Sequence, residues 1–278
     1  MKKFKKILVY TSLSFLSKTE TKRIVKYLEK NSSYLDIYTL EKSNSENNKK
    51  FDLVLSIGGD GIFISASKYA YSKSIPVLGL NFGRIGFLAD LDKKQLQSKI
   101  LEILSGNYII DKRTMLSGTV YADSGIHKSI SLNDIVVNNC GQLKMIETKV
   151  LVNENLVTKQ RSDGVIVSTP TGSTAYAMSN GCPIVSPKSN VICIVPIAPH
   201  SYGQRSIIIN NSDEIEIKVN KKSINHSQVT FDGANNLTIK SPEIVQIKKA
   251  NRVLNIIHPC DYDYFKVLSQ KLKYDIKS

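Results

Sequence analysis

The apolar run Phe51-Asp52-Leu53-Val54-Leu55-Ser56-Ile57 ends directly in Gly58-Gly59-Asp60-Gly61. A buried strand that opens into a turn almost bare of side chains leaves few folds available. Glycines there accept φ > 0 and let a ligand come close to the main chain. The amides they expose can face phosphate oxygens, above all where a helix begins just after the turn. Ile62–Tyr71 reads as that helix. Asp60 would then stand beside bound phosphate, where an acid has a use only if it handles a proton or a metal.

The surrounding sequence supplies the frame for this turn. Ile7–Tyr10 reads as a strand and Lys18–Lys30 as a helix with Ile24, Val25 and Leu28 on one face. Tyr34–Leu40 is a second strand and Ser43–Lys50 a polar loop. After the glycine turn and its helix, Ile75–Leu80 reads as a strand and Lys93–Leu104 as a helix. Such βαβα order predicts a parallel sheet with helices on both faces. Ligands on open sheets of this kind gather at the carboxyl ends of the strands, where Gly58 begins.

From about Arg113 the texture changes to short β-prone runs separated by turn residues, from Leu116–Tyr121 to Val253–Ile257. The expected class is therefore an α/β N-terminal domain plus a mostly-β C-terminal domain. The boundaries expected are 1–112, 113–257 and a helical tail over 258–278. Helical periodicity in Tyr262–Tyr274, through Phe265, Leu268 and Leu272, suggests that this tail docks, with the first domain as a candidate surface.

The chain has 278 residues, 41% of them apolar and 22% charged, enough for two packed domains. Its apolar runs are too short to span a bilayer, and the basic head Met1–Lys6 precedes only a short apolar stretch. No membrane association is expected, and the reading is cytoplasmic. The net charge of +14 suits either nucleic acid or polyanionic small substrates. The lysines form no stripe and alternate with no aromatics, so no nucleic-acid partner is expected. Cys140, Cys182, Cys193 and Cys260 form no CxxC pair, and His127, His200, His226 and His258 have no metal-ligand spacing.

Three further segments carry candidate chemistry. Arg161-Ser162-Asp163-Gly164 precedes the strand Val165–Ser168 and the turn Thr169-Pro170-Thr171-Gly172-Ser173-Thr174-Ala175-Tyr176. One helix cap needs one hydroxyl, whereas this turn offers several. The extra hydroxyls suit ribose and amide groups, and Tyr176 could lie against a flat base. Asn133-Asp134 stands ahead of the strand Ile135–Val137, as an ordinary turn does. Asn81-Phe82-Gly83-Arg84-Ile85-Gly86-Phe87-Leu88 holds a Gly-x-x-Gly. The full GxGxxG, the GxxxxGK[ST] loop and the eukaryotic-type protein-kinase set are missing.

In this order and spacing, Gly58–Gly61, Asn81–Leu88, Asn133-Asp134 and Arg161–Tyr176 resemble the NAD kinase family. The likeness continues through Ser179–Ile184, Pro199-His200, Phe231-Asp232-Gly233 and His258-Pro259. It covers nearly the whole chain, and the RSDG…STPTGSTAY run is its most specific part. The resemblance implies an α/β domain, a largely β domain and a C-terminal segment returning to the first. It implies transfer of a phosphoryl group from ATP, another nucleotide or polyphosphate to the 2′-hydroxyl of the adenosine ribose of NAD, giving NADP. A divalent cation, Mg²⁺ by preference, and a homo-oligomer (dimer or tetramer) belong to the same expectation.

By motif, the resemblance makes Asp60 the general base, with metal ligand as its alternative role, and Gly61 the phosphate-facing backbone. It gives Asn133 and Asp134 the ribose and nicotinamide side of NAD. Lys144, Arg161 and Asp163 would line the same pocket, Asp163 meeting a polar group of the neighbouring NAD. Thr171, Thr174, Ala175, Tyr176, Ala177, Met178 and Ser179 would hold the base and amide ends. Three positions depart from the family pattern: Ile62 stands where Thr or Asn is usual, Asp134 for Glu, and Cys182 for Gly. GGDG is shared with lipid kinases of the diacylglycerol and sphingosine type, one rival reading. A non-catalytic NAD- or nucleic-acid-binding protein is the other.

Overall fold

The structure is a computed structural model that describes residues 4–41, 50–81, 96–141, 144–233 and 238–273. Most of the polar stretch 43–50 and the Gly83–Gly86 part of the Gly-x-x-Gly segment lie outside those residues. The chain divides into two compact units, 1–112 with 254–278, and 113–253.

The first unit begins β1 (Lys6–Thr11), α1 (Leu13–Leu16), α2 (Thr19–Asn31), β2 (Tyr34–Thr39) and β3 (Leu53–Ile57). It continues with α3 (Asp60–Lys73), β4 (Val77–Leu80), α4 (Leu96–Leu104) and β5 (Ile109–Arg113). The second unit opens with β6 (Leu116–Ala122), β7 (Gly125–Ser131), β8 (Asp134–Asn139), β9 (Ile146–Val152), β10 (Asn155–Ser162) and β11 (Gly164–Ser168). The short helix α5 (Tyr176–Ser179) leads to β12 (Val191–Ile197), β13 (Ile207–Asn210) and β14 (Ile215–Val219). There follow β15 (Ser227–Phe231), β16 (Thr238–Lys240) and β17 (Pro242–Lys249). The chain then returns to the first unit with β18 (Leu254–His258) and α6 (Tyr264–Leu272).

The first sheet runs β2-β1-β3-β4-β18-β5, with β1, β2, β3, β4 and β18 parallel neighbours. Every residue of β3 is buried, as a strand covered on both faces requires. Helix α2 supplies Thr21, Ile24 and Leu28 to the core, and α3 supplies Ile62, Phe63, Ala66 and Ala70. The sequence groups Val253–Ile257 with the second domain. Pairing of Ile256 with Val77 and Ile257 with Leu78 puts this strand in the first sheet instead. Its apolar pattern is like that of its predecessors, and only the non-local partner decides where it belongs. The tail helix α6 is capped by Asp263, whose carboxylate accepts from the amides of Phe265 and Lys266 at 2.8 and 3.3 Å. Its buried face runs through Val267 and Ser269, whereas Phe265, expected on that face, is 66% exposed.

The second unit stacks two antiparallel sheets, β10-β9-β14-β17-β6-β7 and β13-β12-β11-β8-β15-β16. Leu116, Val120, Val150, Ile217 and Val245 from the first meet Ile135, Val137, Val165, Val167 and Phe231 from the second. Strand residues alternate between faces, so Val136 and Ile166 look the other way. There Ala177, Cys182 and Val185 cover them. The central strands β8, β11 and β12 are thus buried on both faces, and the segment after β11 is the cover of their outer face.

Candidate active site

In the first unit the chemistry centres on the turn between β3 and α3. Gly58 has φ +150°, and a methyl there would overlap the Ile62 side chain, so both backbone and space call for glycine. The Gly58 amide still donates to the Leu80 carbonyl at 2.9 Å, and Thr11 Oγ1 donates to the Ile57 carbonyl at 2.8 Å. The strand end is therefore fixed from both sides. Helix α3 begins at Asp60, two residues before the expected start, with Gly59 as its cap and no side chain capping it. An uncapped helix N-terminus keeps its amides and its partial positive charge for an anion.

Asp60 sits in the first turn of α3, and its Oδ1 is buried without a hydrogen-bond partner. Burial pushes its carboxyl above the ordinary carboxylate range, while the Lys271 ammonium of α6 pulls it back down. A carboxylate both desolvated and unpartnered is suited to receive a proton. Ile62 is buried against the turn and offers nothing polar to a ligand. Gly61 is exposed beside it.

In the second unit the candidate residues separate into two groups. The first surrounds the start of β8. Thr169 donates through Oγ1 to the Leu132 carbonyl at 2.6 Å and through its amide to the Asn133 carbonyl at 2.8 Å. Its Oγ1 accepts from the Gly172 amide at 3.1 Å. Asn133 and the Thr171–Ser179 segment are thereby joined. Asn133 Oδ1 is buried without a hydrogen-bond partner, and Asp134 is buried.

The hydroxyls of this segment serve the chain more than the sequence suggests. Ser173 donates to the Pro170 carbonyl and accepts from the Val185 amide; Thr174 donates to the Thr171 carbonyl. Thr171 Oγ1 accepts from the buried Arg113 at 3.1 Å. None of Thr171, Ser173 or Thr174 caps a helix through its side chain; the chain forms one short 3-10 turn, Gly172–Thr174, before α5. Ala177 faces the sheet, fully buried, so its side chain holds the segment down. Ala175, Tyr176, Met178 and Ser179 keep partial or full exposure, Tyr176 at 46%.

The second group lies elsewhere. Asn139 Nδ2 contacts the Lys144 carbonyl at 3.4 Å and Asp163 Oδ1 at 3.3 Å. Arg161 is exposed, and its carbonyl accepts from the His200 amide. Because Gly164 pairs with Asn138 and Ser168 with Asp134, this group occupies the opposite end of β8 and β11 from Asn133. Asp163 stands six positions before Thr169, roughly 20 Å at about 3.3 Å per residue. Within one chain, Asp163 and the residues bonded beside it therefore stand at the far end of these strands from Asn133. Asp232, Thr169 and Arg113, all bonded to candidate residues, escape a reading of the sequence alone. Thr169 lies within the hydroxyl-rich turn and Asp232 within Phe231-Asp232-Gly233, but neither segment announces the bonds these two residues make.

Residues 3–108 match the model of the ATP-NAD kinase N-terminal domain, and residues 132–259 that of the ATP-NAD kinase C-terminal domain. An NAD kinase of Legionella pneumophila (strain Corby) is 37% identical over 82% of this chain and 78% of its own length. An NAD kinase of Coxiella burnetii (strain RSA 493 / Nine Mile phase I) is 40% identical over 82% of this chain and 76% of its own. Among solved structures, yeast NADH kinase complexed with NADH superposes with TM-score 0.84 at 19% identity, over 99% of this chain and 89% of that one. An NAD kinase from Archaeoglobus fulgidus in complex with ATP gives 0.79 at 24% identity, over 96% and 98%.

Proposed function

The chain belongs to the NAD kinase family, and from that membership we propose that it phosphorylates the 2′-hydroxyl of the adenosine ribose of NAD to give NADP. The donor is ATP, another nucleotide or inorganic polyphosphate. The observation that carries the reading is the buried, partnerless Asp60 oxygen at an uncapped helix N-terminus. Phosphoryl transfer chiefly needs alignment and neutralisation of charge on the moving group. A ribose hydroxyl keeps its proton at neutral pH. Asp60 accepts that proton as the oxygen–phosphorus bond forms, assistance typically of about 10²- to 10⁴-fold. The turn amides from Gly59 to Gly61 face the phosphates.

Asn133 and Asp134 hold the ribose and nicotinamide side of NAD. Thr171 and the Thr174–Ser179 segment hold its base and amide ends, with Tyr176 free to stack. Among the described residues no cluster of three or more His, Cys, Asp or Glu could hold a metal ion. A divalent cation would be held by the donor phosphates with Asp60 as the candidate protein ligand, a usual Mg²⁺ arrangement. When bound it offsets phosphate charge. Among the described residues no helix is long and apolar enough to cross a membrane. The unpaired Cys140, Cys182, Cys193 and Cys260 suit a reducing cytoplasm.

A coupled assay for NADP, run with each donor and Mg²⁺ and with diacylglycerol as a competing acceptor, tests the function. Silence with every donor, or transfer to the lipid, overturns it. We further read the protein as a homo-oligomer, in which Lys144, Arg161 and Asp163 serve a neighbour's NAD. Light scattering that finds only monomer at micromolar concentration removes this part.

The pH profile gives a separate check. The base must be ionised, so kcat/KM should rise with pH through the free-enzyme ionisation of Asp60, above the ordinary carboxylate range. Lys271→Gln removes the charge that favours the ionised form, so the acid limb should move to higher pH. An unmoved or lowered limb contradicts the assignment of Asp60 as base.

A further inference from the structure

We propose that Asp232 is a positioning residue that, together with Thr169, presents the Asn133 side chain to NAD; this rests on the kinase reading above. Asp232 follows β15, whose last residue Phe231 pairs with Ile135 of β8. Its backbone takes the left-handed conformation at φ +56°, uncommon outside glycine although Asp tolerates it better than most. In that conformation its amide donates to the Asp134 carbonyl at 3.0 Å. Its carboxylate turns back onto the same turn. Oδ1 accepts from the amides of Asn133 at 2.6 Å and Asp134 at 3.3 Å, and Oδ2 from that of Leu132 at 3.1 Å.

Three consecutive amides converging on one carboxylate form a nest around an anion supplied by the chain itself. Ionised acceptors make the stronger class of hydrogen bond. Thr169 holds the other edge of the turn by bonding the carbonyls of Leu132 and Asn133, and Ser168 Oγ adds a bond to the latter at 3.3 Å. The main chain from Leu132 to Asp134 is clamped on its amide side by Asp232 and on its carbonyl side by Thr169. What remains of Asn133 is its side chain, with Oδ1 buried and partnerless. A turn needed only to start a strand has no use for so many restraints. A turn that must place one amide group against a ribose does, because small misplacements of contacting groups are costly in rate.

The test uses the full-length protein with Asp232→Asn and Asp232→Ala. In the first, one oxygen still accepts, while the new amide nitrogen confronts an amide donor; in the second every acceptor is lost. The KM for NAD and the calorimetric NAD Kd are expected to rise about tenfold in Asp232→Asn, as misplacement of the one Asn133 hydrogen bond to NAD implies, and further in Asp232→Ala. The donor KM should stay unchanged, measured where circular dichroism shows both variants folded. A general weakening of the fold would instead lower kcat through the active fraction and leave both KM values alone. That pattern, or a folded Asp232→Asn with wild-type NAD Kd, overturns the proposal. Should Asp232→Ala fail to fold, Asp232→Asn alone decides. Absence of NADP formation by the wild-type protein would sink the kinase reading, while NAD calorimetry on the variant would still judge the clamp.

Discussion

Asp60→Asn is expected to lower NADP formation by at least about 100-fold while NAD still binds, since the amide keeps the shape of the carboxylate and loses only its basicity. The fold should not suffer at neutral pH. Burial raises the Asp60 pKa, so the native state disfavours the ionised form. The stability its protonated form contributes is present below the unfolded-state pKa and lost as pH rises through the higher folded-state pKa. Above that folded-state pKa the wild-type protein has lost it, and Asn removes the burden of a desolvated charge. Melting temperatures should therefore favour the variant increasingly as pH climbs from the unfolded-state to the folded-state pKa, and the difference should level off above it. Raising Mg²⁺ separates the two roles of the acid: a lost metal ligand can be offset by more metal, a lost base cannot. Near-normal turnover by Asp60→Asn, or its rescue by Mg²⁺, would remove Asp60 as base.

The sequence carries that site clearly because its signal is local. Leu53–Ile57 is a fully buried strand and reads as one, and the glycines that follow can be recognised without knowing any distant partner. Two edge strands of the second unit are harder to see. β7, Gly-Ile-His-Lys-Ser-Ile-Ser, and β10, Asn-Leu-Val-Thr-Lys-Gln-Arg-Ser, are largely exposed, so burial imposes little alternation on them. β18 was legible as a strand but not as a member of the first sheet, because Val77 and Leu78 decide that from far away in the chain.

The hydroxyl-rich turn shows the same limit at finer scale. Its residue types announce a polar loop, but whether Ser173 and Thr174 face a ligand or their own carbonyls depends on the path of the chain. Asp232 lies 99 residues from the amide it holds most closely. No spacing rule reaches that far. The separation of Asp163 from Asn133 is likewise invisible until β8 and β11 are laid antiparallel.

Gly172→Ala should produce the second large effect, by geometry rather than chemistry. A methyl there would overlap the Asn133 carbonyl oxygen and stand 2.5 Å from Ser168 Oγ and 2.6 Å from the Asn133 carbonyl carbon. The obstacle is mostly backbone, so no side-chain rotation relieves it. Either the Thr171–Ser179 segment lifts or the Asn133 turn moves, and both are assigned to NAD. A displacement of about 1 Å can lower rate by on the order of 100-fold, the loss expected in kcat/KM for NAD. Overpacking of about 1–3 kcal/mol should also lower the melting temperature, at roughly 2–4 °C per kcal/mol for a domain of this size. Gly203→Ala is the control, since nothing lies within 4 Å of its added methyl, and it should leave both readouts unchanged. If Gly172→Ala matches the wild type in kcat/KM for NAD, close contact between these two loops is not what positions the substrate.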